Sequence, residues 1–209
     1  MNRIEVAEVL GPLRRGAATI LGPGLAAYPI AAQGDEPWIV YNMDMSYVTA
    51  TAVGIALGWP ALKVLAVEGD GSLLMGQVAL TTVARYQPPN LIILVFDNGA
   101  YLTTGSGRAT TATTIGTDIE QLGRAAGIKR TATVSEIGET RAVLARAFAE
   151  PGPWLIVAKV DKSDRERSVD FEPVPTDCFE SGQRFRQAAL SLGAPASDPS
   201  RSQGAVPKS

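Results

Sequence analysis

The chain has 209 residues, 45% of them apolar, and its 19 basic and 21 acidic side chains leave a net charge of -2. That length suits one substantial core, and the near-neutral balance without a Lys/Arg cluster argues against a nucleic-acid partner. With no histidine and one cysteine, Cys178, the sequence excludes Ser-His-Asp hydrolysis, His-based zinc sites, an internal disulfide framework and a histidine-activated thiol.

Met1-Asn2-Arg3-Ile4-Glu5 lacks the basic-then-apolar layout of a signal peptide. No apolar run approaches the roughly 20 residues needed to span a bilayer. The expectation is a cytoplasmic protein without membrane association. Residues 3 to 13 carry an imperfect helical stripe, Ile4, Val6, Val9, Leu10 and Leu13, which Gly11-Pro12 should end or bend. Ala17 to Leu21 is a short apolar run closed by the turn Gly22-Pro23-Gly24, and Leu25 to Ala32 reads as helix. Trp38-Ile39-Val40-Tyr41 has the content of a buried strand, with Asn42-Met43-Asp44-Met45-Ser46 as its exit turn. Tyr47 to Leu57 is rich in small residues, as in a helix packed closely on a sheet, and Gly58-Trp59-Pro60 stops it.

The pattern then repeats. Val64 to Val67 reads as strand, Leu73 to Tyr86 as one helix, and Leu91 to Phe96 as a fully apolar strand. A polar loop over 102–114 leads to a helix near Thr117 to Ala126, a weak edge strand over Ile128 to Val134, a helix capped by Ser135, and a last strand from Trp154 to Val160. Continuous apolar strands alternating with helices predict an α/β fold with a doubly wound, mostly parallel six-stranded sheet covered on both faces. The core should span residues 1–160. Residues 161–192 form an extension with room for one more helix, and the Pro/Ser/Ala/Gly-rich 193–209 reads as a disordered tail.

The chemistry concentrates between Val64 and Tyr101. Ligands of open parallel sheets bind at the carboxyl ends of strands, where Gly69-Asp70-Gly71-Ser72 and Asp97-Asn98-Gly99-Ala100-Tyr101 both fall. A helix of about 14 residues rises about 21 Å, and a returning strand of about seven residues covers about 23 Å. The chain therefore returns to the level it left, which sets Asp70 beside Asn98. A carboxylate, an amide oxygen and a turn carbonyl form a hard oxygen set for Mg²⁺ or Ca²⁺. One protein charge leaves such a cation short of neutral, which calls for anionic oxygens of a phosphate compound. Backbone N–H groups at Gly71 and Ser72, opening the helix, favour that anion.

GDGSLLMGQ…LIILVFDNGAY resembles the cofactor signature of the thiamine-diphosphate-dependent enzymes of the pyruvate decarboxylase and acetolactate synthase superfamily. The resemblance implies that Asp70, the Asn98 side chain and the Ala100 carbonyl hold a Mg²⁺ that clamps the diphosphate of thiamine diphosphate. Gly69, Gly71, Ser72 and Tyr101 belong to the same cofactor site. The family's usual first asparagine of the pair is Asp97 here, at a position that is not a ligand. Tyr41 to Gly58 is similar to the family segment beneath the cofactor rings, which makes Met45 the supporting wedge and the Met43 carbonyl the acceptor for the pyrimidine amino group. Ordinary core filling is the plain alternative for Met45. Gly22 and Gly24 sit where the family has another diphosphate-contacting turn, with a simple turn as the alternative. Arg108, in the loop Gly105-Ser106-Gly107-Arg108, reads either as a cation for a substrate anion or as a solvated residue.

Full-length members carry a pyrimidine-binding domain whose glutamate activates the cofactor, and this chain is too short to include one. The resemblance is accordingly to the diphosphate-binding subunit of a split enzyme, comparable to the β subunit of sulfopyruvate decarboxylase and to the C-terminal part of phosphonopyruvate decarboxylase. It implies decarboxylation of a small 2-oxo acid in a hetero-oligomer with a pyrimidine-binding α subunit that supplies the activating glutamate. Catalytic residues on this chain stay unassigned. The alternatives are a subunit of a carboligase or 2-hydroxyacyl-CoA lyase, or a non-catalytic subunit that kept the fold.

Overall fold

The structure is a computed structural model that describes residues 1–23, 27–102, 109–162 and 177–193. Six parallel strands form one sheet: β1 (Ala18–Leu21), β2 (Ile39–Val40), β3 (Val64–Gly69), β4 (Leu91–Asp97), β5 (Arg130–Val134) and β6 (Trp154–Lys159), in the order β2-β1-β3-β4-β6-β5. The helices are α1 (Arg3–Leu13), α2 (Ala27–Ala31), α3 (Val48–Gly58), α4 (Asp70–Met75), α5 (Ala79–Tyr86), α6 (Ile119–Ala126), α7 (Ile137–Ala149) and α8 (Cys178–Leu190). This is the doubly wound parallel α/β architecture expected from the alternation of apolar runs and helices.

The two central strands are apolar on both faces because both faces are covered. Leu65 and Val67 of β3 and Ile92, Leu94 and Phe96 of β4 pack with α1, α2 and α7. Their alternate neighbours, Val64, Ala66, Leu91, Ile93 and Val95, pack with α3, α5, α6 and α8. Each Val, Leu, Ile or Phe among them contributes about 1.5–3 kcal/mol on burial, which makes β3 and β4 a rigid base for whatever leaves their carboxyl ends. The register pairs Gly69 with Phe96, so the two strands do end level.

Several boundaries differ from the sequence reading. Gly11-Pro12 does not end α1, which runs on to Leu13 with Pro12 in its last turn. The helix expected from Leu73 to Tyr86 starts earlier, at Asp70, and is two pieces broken after Met75. The break has a tertiary cause: a Cβ at Gly76 would collide with the Ser46 carbonyl, so the chain turns where that loop presses on it. Helix α7 is preceded by Glu136 at the cap position, without a side-chain cap bond; Ser135 does not cap it.

Helix α8 lies against the edge strand β2. Ser181 Oγ accepts the Tyr41 N–H at 3.0 Å, and Arg184 pairs with Asp35 through two bonds of 2.7 and 3.1 Å. The Arg184 guanidinium, with the Tyr41 hydroxyl, holds the Asp35 carboxyl below the usual carboxylate range against the opposing effect of burial. Among the described residues no helix is long and apolar enough to cross a membrane. Of the tail 193–209, expected to be disordered, all but Gly193 lies outside the described residues, as do 163–176 of the extension.

Candidate functional site

Strands β1 to β4 all deliver their exit turns to one edge of the sheet. Asp70 is the first residue of α4 and is 1% exposed. Its Oδ2 accepts from Thr111 Oγ1 and, at 3.0 Å, from Thr113 Oγ1. Burial pushes its carboxyl up and the nearby Asp97 adds to this, while the two threonine hydroxyls and the Gly71 N–H pull it back. Among the described residues no Lys or Arg pairs with Asp70; Lys159 is bound to Asp97.

Asp97, the last residue of β4, is also buried, and accepts from Lys159 Nζ, from Thr113 Oγ1 at 2.8 Å and from the Gly99 N–H at 3.2 Å. Asn98 is half-buried, and its Oδ1 accepts the Ala100 N–H at 2.9 Å in a side-chain-closed turn. Gly99 takes a left-handed φ of +66°, the conformation glycine tolerates best. The chain then doubles back: Ala100 bridges Thr110, the Tyr101 N–H reaches the Ala109 carbonyl at 2.9 Å, and the Thr111 N–H reaches the Gly99 carbonyl at 3.1 Å. That ribbon and the 3₁₀ turn Ala112–Ile115 bring Thr111 and Thr113 over Asp70.

The Tyr101 ring lies close against Gly71, where a Cβ would collide with it. Ser72 is buried; its Oγ donates to Glu68 and accepts the Ser46 N–H at 3.2 Å. The β2–α3 turn is held in unusual backbone, with φ of +49° at Asn42 and +73° at Ser46 on either side of Met43 and Met45. The Met43 N–H donates to the Leu21 carbonyl at 2.9 Å and Met43 packs against the core. Met45 is half-buried and belongs to neither core cluster among the described residues. Gly22 donates to the Val67 carbonyl at 2.8 Å, so the β1 turn touches the strand that leads to Asp70. Gly24 and Arg108 lie outside the described residues.

Those of the expected site residues that are described thus reach one edge by three turns, after β1, β2 and β3, and by the ribbon after β4. Sequence reasoning missed three participants: Thr111 and Thr113, ordinary loop residues until the ribbon folds back, and Glu68, a carboxylate inside an otherwise apolar strand. The Cys178 thiol is pushed up by burial, with Asp44 and Asp177 adding to this, so it is no activated nucleophile. Among the described residues no three His, Cys, Asp or Glu side chains cluster to hold a metal. An oxygen set of one carboxylate, one amide and one carbonyl suits a hard cation that keeps non-protein ligands. Asp70, buried beside a second carboxylate and without a Lys or Arg partner among the described residues, fits such a group.

Fold and edge together define a parallel α/β domain built to hold a ligand across its strand ends. Residues 25–158 match the family described as thiamine pyrophosphate enzyme, C-terminal TPP binding domain, and the chain belongs to that family. It is 35% identical over 178 residues to a sulfopyruvate decarboxylase subunit beta of Methanococcus maripaludis, covering 85% of this chain and 93% of that one. It is 31% identical over 157 residues to a phosphonopyruvate decarboxylase of Streptomyces viridochromogenes, covering 74% of this chain but 38% of the relative. A crystal structure described as a candidate thiamin diphosphate-dependent enzyme from Mycobacterium smegmatis superposes with a TM-score of 0.65 at 25% identity, covering 77% of this chain and 32% of that one.

Proposed function

We propose that this chain is the diphosphate-binding subunit of a split, Mg²⁺-dependent thiamine-diphosphate enzyme that decarboxylates a small 2-oxo acid together with a pyrimidine-binding subunit. The observation that carries the reading is Asp70, a carboxylate 1% exposed at the carboxyl edge of a parallel sheet, beside Asp97 and without a Lys or Arg partner among the described residues. A divalent cation supplies the charge this arrangement wants. In this reading Asp70, the Asn98 side chain and the Ala100 carbonyl hold Mg²⁺. Gly22, Gly24, Gly69, Gly71, Ser72 and Tyr101 surround the diphosphate, the Met43 carbonyl receives the pyrimidine amino group, and Met45 supports the rings.

When bound, thiamine diphosphate supplies a nucleophilic carbon and the electron sink that makes loss of CO₂ from a 2-oxo acid feasible. This chain's share is to bind and orient. The strained turn around Met43 and Met45 and the glycine at 71 shape the floor and wall, and no described side chain here has the chemistry of a histidine base. The activating glutamate is assigned to the partner. The match over 93% of the length of a chain named as a β subunit supports the split arrangement, and the names of the relatives support decarboxylation.

Calorimetric titration with thiamine diphosphate and Mg²⁺ is expected to show tight binding when the chain is co-expressed with a pyrimidine-binding subunit, and the complex to release CO₂ from a 2-oxo acid. Tight binding by the isolated monomer overturns the split arrangement. Carbon–carbon bond transfer without CO₂ release overturns the decarboxylase assignment.

A further inference from the structure

One fully buried polar group at the carboxyl edge is not used by the cofactor reading. Glu68 sits in the otherwise apolar strand Val64–Gly69 and is 1% exposed. Thr49 Oγ1 of α3 donates to its Oε1, and Ser72 Oγ of α4 donates to its Oε2. Ser72 Oγ in turn accepts the Ser46 N–H at 3.2 Å. On the other side the Gly22 backbone approaches so closely that a Cβ there would stand 3.3 Å from Glu68 Cβ. One side chain therefore touches the turns after β1 and β3 and, through a single hydroxyl, the turn after β2.

A carboxylate in this position is expensive. Burying it costs several kcal/mol before its bonds are counted, and well-packed apolar residues often serve stability better. What the carboxylate offers is two acceptor oxygens. A hydroxyl has one proton, so Ser72 must donate to Glu68 for its lone pair to face the Ser46 N–H. Ser46 needs holding, because a residue with a side chain takes left-handed backbone at a cost of about 1 kcal/mol. The closeness of Gly76 to the Ser46 carbonyl shows how tightly that turn is pressed on α4.

We propose that Glu68 is a positioning residue that locks the Met43–Ser46 turn to the start of α4, so that the ring-supporting and diphosphate-holding segments are set in place before the cofactor arrives. The inference rests on the cofactor reading above. An amide at position 68 has one acceptor oxygen, so one of the two hydroxyls loses its acceptor.

The test compares Glu68→Gln and Ser72→Ala by two readouts. In hydrogen exchange on the cofactor-free full chain, the Ser46 N–H is expected to exchange at least about tenfold faster in both variants, while the core amides of Ile93 and Ile156 keep their wild-type rates. In calorimetry on the co-expressed complex with thiamine diphosphate and Mg²⁺, the Kd is expected to rise about tenfold for Glu68→Gln. The double variant should bind no more weakly than the weaker single one, because both substitutions break the same chain of bonds. Wild-type Ser46 exchange and Kd in Glu68→Gln overturn this inference alone. Core amides that speed up in step with Ser46 make Glu68 a general structural residue and overturn it too. A wild-type complex that binds no thiamine diphosphate overturns the cofactor reading and this inference with it.

Discussion

Asp70 and Asp97 share one hydroxyl: Thr113 Oγ1 stands 3.0 Å from Asp70 Oδ2 and 2.8 Å from Asp97 Oδ1. A single proton serves two carboxylates, so at each moment Thr113 donates to one of them, while Thr111 stays on Asp70 and Lys159 and the Gly99 N–H stay on Asp97. Both acids are buried, and Lys159 answers only one. The pair therefore stores negative charge where a cation is proposed to bind.

Replacing Asp70 should separate function from stability. Burial and Asp97 raise its carboxyl in the folded chain, so the folded state holds that proton more tightly than the unfolded one. Its contribution favours folding at low pH and is lost as pH rises from the unfolded value of about 3.9 through the raised folded value. Asp70→Asn removes this loss. Thermal melts of the cofactor-free variant should show a midpoint equal to wild type at pH 4 and about 2–4 °C higher at neutral pH, for a gain of about 1 kcal/mol. Calorimetry of the complex should find Mg²⁺-dependent cofactor binding abolished.

Asp97→Asn keeps the shape and removes one negative charge near the proposed cation. Charges a few ångströms apart at a half-screened protein edge interact by about 1 kcal/mol or more. The Mg²⁺ concentration giving half-maximal cofactor binding should rise about fivefold, measured at saturating thiamine diphosphate. An unchanged Mg²⁺ dependence would place the cation away from this pair.

Gly71→Ala drives a methyl into the Tyr101 ring. Overpacking of this kind costs about 1–3 kcal/mol, and here it also displaces a residue of the proposed diphosphate pocket. Cofactor affinity should fall by at least about tenfold. Adding Tyr101→Ala removes the clash, so the double variant should bind better than Gly71→Ala alone; a double variant that is worse would show that Tyr101 is not what the glycine makes room for.

The Asp35–Arg184 pair fixes α8 to the β2 edge, with Asp35 held below the usual carboxylate range chiefly by the Arg184 guanidinium. A depressed carboxyl stabilises above its unfolded pKa, and the effect disappears as pH falls through the folded value. Both groups are about a third exposed, 31% and 35%, so the bidentate pair should contribute no more than about 1 kcal/mol. Arg184→Met is expected to lower the thermal midpoint by about 2–4 °C at neutral pH. The difference from wild type should shrink as pH falls below the unfolded carboxylate value of about 3.9.

The parallel sheet was legible because β3 and β4 carry unbroken apolar runs, Val64 to Val67 and Leu91 to Phe96, a pattern that two-sided burial explains. The break in the helix after Asp70 was not, since Leu73, Leu74, Val78, Leu80 and Val83 continue a helical stripe straight across Gly76. What interrupts it is the Ser46 carbonyl, a contact made by a segment 30 residues earlier. Asp70 and Asn98 are expected at strand ends, where parallel sheets expose chemistry, and they do follow β3 and β4 directly. Thr111 and Thr113 could not be picked out, because their place depends on the ribbon pairing of Ala100 with Thr110. Glu68 did leave a signal, a charge inside a buried strand, yet its role appears only when the hydroxyls of Thr49 and Ser72 arrive from two different helices.

The contact between α8 and β2 gives the chain an order of assembly. Tyr41 N–H and Asp35 are completed by Ser181 and Arg184, partners 140 and 149 residues further along. At synthesis rates of about 5–20 residues per second, that delay is roughly 7–30 s. During it β1, β3, β4 and their helices can already pack, while the two-residue strand β2 stays an open edge and the turn behind it has no outer support. The part of the site that cradles the proposed cofactor rings is then the last to be finished on the ribosome, closed by a helix from the far end of the chain.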